Sequence, residues 1–212
     1  IPFRALVSII PRPNQAFWTL SALWSGWLWG REAVAPFKAV LRRRRYDWQW
    51  HAEALRALFQ NLRQVVAIDI PFHALIPELE PDFLSAILLA AAGSGWQARE
   101  LELEKNADLA LITFQTTKPS RKQPVAEDVN FIRRALRQNL EKRAEPSDYL
   151  SLHAAALLAL AQKHSLVFRD DSVVTLRKLI HAALESDEFI DLEARSHPET
   201  GRWALRKWQK MF

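Results

Sequence analysis

Three short stretches carry the residue types that could do chemistry. In "RRRRYDWQW" (42–50), Arg42, Arg43, Arg44 and Arg45 run straight into Trp48. Guanidinium groups interleaved with aromatic rings suit phosphate contact and base stacking. "TLRKLIHAAL" (175–184) sets Arg177, Lys178 and His181 off the apolar stripe of Val173, Leu176, Ile180 and Leu184. "SIIPRPN" (8–14) ends a strand-like run in Ile9, Ile10, Pro11 and Arg12, with Asn14 placed to cap the next helix. Other chemistries are excluded. The six histidines (51, 73, 153, 164, 181, 197) lack HxxxH or HExxH spacing, so no zinc site is expected. There is no GxSxG and no P-loop. Cysteine is absent, which removes thiol nucleophiles, thiolate metal sites and disulfides.

The elements that must position these residues are read from pattern. "PFRALVSII" is short, β-branched and stopped by Pro11 and Pro13, which predicts a buried strand. A helix up to Gly30 holds four of the nine tryptophans, Trp18, Trp24, Trp27 and Trp29. The spacing of Phe17, Leu20, Trp24 and Trp27 predicts that Trp24 and Trp27 bury against the sheet. A helix capped by Asp47 comes next, with Leu55, Leu58, Phe59 and Leu62 inward and His51 packed between surface and core. Then come a strand at "FHALIPEL" (72–79), an apolar helix ended by Gly93 and Gly95, the alternating strand "WQARELELE", the turn "KNAD" and the strand "DLALITFQ". Strand, helix, strand, turn, strand is an α/β order closing in an antiparallel hairpin. The polar, basic "TTKPSRKQP" reads as a boundary. Beyond it lie helices near 125–143, 148–164 and 172–186 and two strands around "SHPETG". That order predicts a winged helix carrying Arg195 and Arg202 near its wing and Arg206 on the strand after it.

Composition sets the outer bounds. The chain has 212 residues, 49% apolar and 25% charged, enough for one large or two small globular units. Its net charge of +5 is unevenly spread: residues 31–63 carry eight Lys/Arg against three acids, whereas 64–110 carry two against eight. A local basic face is therefore expected. No apolar run reaches the roughly 18 residues that span a bilayer, so no membrane partner is expected. The missing cysteines suit a reducing compartment, and the expected location is cytoplasmic.

A strand running into a Pro-rich turn and an aromatic helix resembles motif IV of the amino-methylating nucleic-acid methyltransferases, the N6-adenine and N4-cytosine enzymes, which read Asp/Asn/Ser-Pro-Pro-aromatic. "AFWTLSALWSGWLWG" and "YDWQWHAEALRALFQNL" are similar to the helices after that motif in a large group of bacterial and archaeal DNA methylases. The resemblance covers residues 1 to about 116. It implies an α/β fold: a partial Rossmann-like methyltransferase sheet, strands four to seven, with flanking helices. A small winged-helix-like α+β domain completes the chain. The expected division is 1–116, a linker at 117–124, and 125–212. On this alignment Ile9 stands at the polar position, Ile10 and Pro11 at the prolines, and Arg12 at the aromatic. Isoleucine cannot accept the hydrogen bonds that orient the target amino group, and Arg12 stacks on an extruded base only through its guanidinium plane. Glu78 and Glu80 lie where such enzymes hold substrate, with helix capping the alternative.

No glycine-rich turn comes after a strand, and "GSG" (93–95) reads as a helix end. S-adenosylmethionine is therefore expected only if an amino-terminal half exists upstream of Ile1, and that half is an expected partner. No cofactor, metal or catalytic residue is expected in this chain. The expected function is a methyltransferase-like protein, inactive in this form, that binds nucleic acid, duplex DNA first. Its candidate contacts are Arg12, Asn14, Arg42 to Arg45, Trp48, Arg177, Lys178, His181, Arg195, Arg202 and Arg206. The alternative is a non-enzymatic nucleic-acid-binding or scaffold module that keeps the fold.

Overall fold

The computed structural model describes residues 4–12, 15–35, 47–68, 70–117, 128–193 and 197–211, with the side chains of 15–18, 210 and 211 left aside. Asn14, Arg42 to Arg45 and Arg195 lie outside the described residues, as does most of the expected linker.

A four-stranded mixed sheet runs in the order β1 (Leu6–Ile9), β2 (Phe72–Ile76), β4 (Leu109–Thr116), β3 (Trp96–Glu104). β1 and β2 are parallel, with Leu6 opposite Phe72 and Ile9 opposite Leu75. β4 is antiparallel to both neighbours, with Ala74 facing Ile112 and Trp96 facing Thr116. The hairpin β3–β4 turns through Lys105–Ala107 and Asp108, which sits in the left-handed region at φ 50. Pro77 stops β2 earlier than expected, at Ile76.

Two helices press on this sheet. Helix α2 (Trp48–Val65) starts where Asp47 accepts the Trp50 N–H at 2.7 Å, as its cap position demands. It buries His51, Ala52, Leu55 and Phe59, whereas Leu58 turns outward at 48% exposure. Phe59 meets Phe72, Trp96 and Phe114 in an aromatic cluster, and the Trp96 indole N–H donates to the Phe59 carbonyl at 2.9 Å. Helix α3 (Pro81–Ala92) is apolar all round and is buried from Phe83 through Ala91. An all-apolar helix must be covered on every side, and the second half of the chain supplies the cover.

That half comprises α4 (Val129–Arg143), β5 (Ser147–Asp148), α5 (Tyr149–Gln162), α6 (Ser172–Leu184), β6 (Phe189–Asp191) and β7 (Arg202–Leu205). Asp128 caps α4 and Asp148 caps α5 through side-chain acceptors. The three strands make an antiparallel sheet in the order β5-β7-β6. The two-residue β5 is invisible in the sequence because it is too short for any alternation. Helix α3 packs on α5 and α6, and β3 packs on α5. Gln97 of β3 donates to the Gln162 carbonyl at 3.0 Å, and Gln162 donates to the Arg99 carbonyl at 3.1 Å. One continuous cluster of buried side chains therefore runs from Ile10 to Leu205.

Helix α1 (Gln15–Trp29) corrects the expected burial of its tryptophans. Trp24 is 57% exposed and Trp27 75%, and the two rings meet edge to face 5.4 Å apart on the surface. The inward face is the small one, Ala22 and Ser25, with Gly26 so close to the Arg31–Val34 turn that an added Cβ would stand 3.0 Å from Val34 Cγ2. Apolar residues surround this helix, so period alone could not say which face turns in. β1 is likewise not the buried strand expected: Val7 and Ile9 are exposed, Leu6 only partly packs against the core, and the fully buried residue is Ile10, just past the strand's end.

Candidate functional site

The carboxyl ends of β1 and β2 bring Arg12 against Glu78 and Glu80. Arg12 Nη1 lies 2.7 Å from Glu78 Oε2, and Nη2 lies 3.1 Å from Glu80 Oε2. The guanidinium also covers the Trp48 ring at 5.3 Å from its centroid. Trp48 in turn stacks on Phe83, with ring centroids 5.1 Å apart and planes at 19°. Its indole N–H donates to Glu80 Oε1 at 3.0 Å. Two carboxylates, one planar cation and one fixed aromatic platform thus form a compact polar mouth at the sheet's end. Each side chain of the ion pairs is more than a third exposed, so each pair contributes only about 0–1 kcal/mol.

Beneath this mouth His51 is 3% exposed, tilted against Phe83 and edge-on to Trp48, and neither ring nitrogen has a well-formed hydrogen bond. Burial pushes its pKa down to about 4, with the Pro11 carbonyl opposing. It is a neutral core imidazole at physiological pH.

A second polar cluster lies where α3 meets α5 and α6. Ser85 Oγ is 2.8 Å from His153 Nε2, and His153 Nδ1 is 3.1 Å from the Tyr149 hydroxyl. Ser85 and His153 are fully buried, and burial, helped by nearby His181, holds the His153 pKa down at about 3. Beside them Arg177 bonds Asp82 at 2.8 Å, and His181 lies 3.2 Å from Glu199. Burial raises the Asp82 pKa against the opposing pull of Arg177. A serine and a histidine within hydrogen-bonding distance suggest a nucleophile and base, but with no exposed surface they serve as an internal strut. A single Ser in "FLSAILLAAA" and a single His in "YLSLHAAALLALA" are the available signal, since two lone polar groups on apolar helices need each other.

The other expected contact residues are dispersed. Lys178 and Arg202 are exposed, while Arg206 donates to the carbonyls of Asp187 at 2.8 Å and Phe189 at 3.2 Å. Arg177 and His181 face α3 and α5 rather than a free surface. Arg12 and Trp48, from distant parts of the chain, are brought together. Phe83, their platform, has no signature in the sequence, because a helical phenylalanine carries no signal beyond burial. Neither a family model, nor a curated protein, nor a solved structure matches this chain.

Proposed function

We propose that this chain is the carboxyl-terminal half of a methyltransferase-like α/β fold with a winged-helix-like appendage, that it does not catalyse methyl transfer by itself, and that it binds nucleic acid. The observation that carries the non-catalytic reading is the occupied mouth. Arg12, at the position of the base-stacking aromatic, is tied to Glu78 and Glu80, and Ile9, at the polar position, has no acceptor atom in its side chain. Supporting the fold are the adjacent parallel β1 and β2 and the terminal antiparallel hairpin folded back so that β4 lies against β2. Supporting the appendage is the order helix, strand, helix, helix, two strands, with β5 paired to β7. On the same reading an amino-terminal half would add a parallel strand beside β1.

Two measurements test this. Calorimetric titration with S-adenosylmethionine should give no binding, and a dissociation constant of about 10 μM or tighter, roughly −7 kcal/mol, overturns the non-catalytic reading. Duplex DNA should bind with steep salt dependence that flattens when Arg42 to Arg45 are changed to Ala, by close to one unit for each phosphate no longer neutralised. No duplex binding at about 50 mM salt overturns the nucleic-acid reading.

The scaffold reading is favoured by a separate observation. Arg133 and Arg137 pair with Glu188, Arg143 with Glu145, Arg177 with Asp82 and Lys207 with Glu141. Several cations of the carboxyl-terminal half thus have carboxylate partners, and on α6 Lys178 is the fully exposed cation, among Val174 and Thr175. Duplex binding that survives intact when Lys178 and Arg202 become Ala would assign this half to protein contact.

A further inference from the structure

We propose that Trp48, Glu78 and Glu80 form a cradle for a guanidinium group, that Arg12 is its resident occupant, and that an arginine side chain of another polypeptide exchanges with it. The inference stands apart from the nucleic-acid reading. It rests on how the cradle is held.

The cradle is organised independently of Arg12. Phe83, fully buried in α3, stacks on one face of Trp48 and fixes the plane of the indole. The indole N–H donates to Glu80 Oε1, which leaves Oε2 of the same carboxylate turned to the occupant. Removing the Arg12 side chain therefore leaves the aromatic face and the Glu80 acceptor already in position, with Glu78 beside them at the end of β2. The two carboxylates take different nitrogens of the guanidinium, Nη1 on Glu78 and Nη2 on Glu80, while its carbon lies over the ring. A flat, delocalised cation with several donors meets all three groups at once. A compact ammonium has neither the fork nor the plane. This is the chemistry of an arginine receptor.

Exchange is possible because the contacts are wet. Arg12 is 46% exposed at its side chain, Glu78 39% and Glu80 35%, so water competes for each ion pair. Arg12 nevertheless holds its place through a high effective concentration, being tethered one residue beyond Pro11 at the end of β1. An arginine from outside competes with that tether, and the competition ends when Arg12 is shortened.

The test uses the full chain and Nα-acetyl-arginine amide as probe, read through the indole N–H resonance of Trp48, identified by its loss in Trp48→Phe. In Arg12→Ala the probe should shift this resonance saturably, with an apparent dissociation constant at least about threefold lower than in the unaltered chain. Adding Glu78→Gln or Glu80→Gln to Arg12→Ala should weaken binding about two- to fivefold, and Glu80→Gln retains the acceptor for the indole. Nα-acetyl-lysine amide should give no saturable shift. Arg12→Gln serves the same purpose if the alanine variant folds poorly. A resonance that does not move in either Arg12 variant, or one that responds equally to the lysine probe, overturns the cradle.

Discussion

Arg177 of α6 reaches Asp82 in the first turn of α3, with Nη1 2.8 Å from Oδ2. Asp82 is only 13% exposed at its side chain and its other oxygen is buried without a partner, so Arg177 is what lets a carboxylate remain there. Arg177→Ala should destabilise the protein by about 1–2 kcal/mol, below the usual range for broken buried pairs because Arg177 is itself a third exposed. The Asp82 pKa should rise further. Adding Asp82→Asn should recover part of the loss in urea unfolding, and a double variant no more stable than Arg177→Ala would refute this account.

The tryptophans divide into two groups. Trp96→Ala should cost about 3–5 kcal/mol, since the ring is 2% exposed and its N–H is bonded to Phe59. Trp24→Ala or Trp27→Ala should change the denaturant midpoint little, by about 0.5 kcal/mol or less, because both rings face solvent. Equal losses at Trp96 and Trp27 would mean that α1 is turned the other way.

Acid should weaken the fold from near neutrality downward. His51 and His153 are held neutral, with pKa values of about 4 and about 3 against about 6.5 when unfolded. Between those limits the unfolded chain binds more protons, so stability falls as pH drops below about 6.5 and keeps falling to about 4. The slope approaches about 2.7 kcal/mol per pH unit for the two groups together. Asp82, whose pKa is raised by burial, works in the opposite sense above its ordinary value. Unfolding midpoints at pH 7, 6 and 5 check this, and His153→Phe should flatten the fall.

Gly201 is required for space. An added Cβ would stand 2.7 Å from Asp191 Oδ2, and the other oxygen of that carboxylate accepts the N–H groups of Glu193 at 3.0 Å and Arg202 at 3.2 Å. Gly201→Ala should destabilise by about 1–3 kcal/mol, whereas Gly30→Ala meets no neighbouring atom, only the unfavourable φ of 85. Hydrogen exchange at Arg202 and Glu193 separates the two effects.

Most of the strands and helices are legible because their signals are local. Alternation marks β3, the turn "KNAD" leads into β4, Asp47 fixes the start of α2, and the largely apolar run of α3 marks it as a helix. What escapes is non-local. The facing of α1 depends on which of two apolar sides fits the Arg31–Val34 turn, and the sequence offers no contrast between them. The site is half legible: Arg12, Trp48, Glu78 and Glu80 each stand out, but their meeting depends on parallel pairing between strands far apart in the chain. Likewise Arg177 and His181 read as solvent-facing on the helical period, and only the placement of α3 turns them into internal contacts.

The pairing of β1 with β2 sets an order of assembly. The β3–β4 hairpin closes through a tight turn and can form early, as can the packing of α3 on it. β1 must instead find β2 across the whole of α1 and α2, so its docking carries the largest loop-closure entropy in the sheet. As a four-residue edge strand, against nine residues in the other edge strand β3, it gains the least in return. The backbone amides of Leu6 and Ile10, which donate to Pro71 and Leu75, should therefore be the last in the sheet to gain protection during refolding and the first to lose it under native conditions. The aromatic helix that hangs from this strand would be released with it, and a protease would find that segment long before the rest of the chain unfolds.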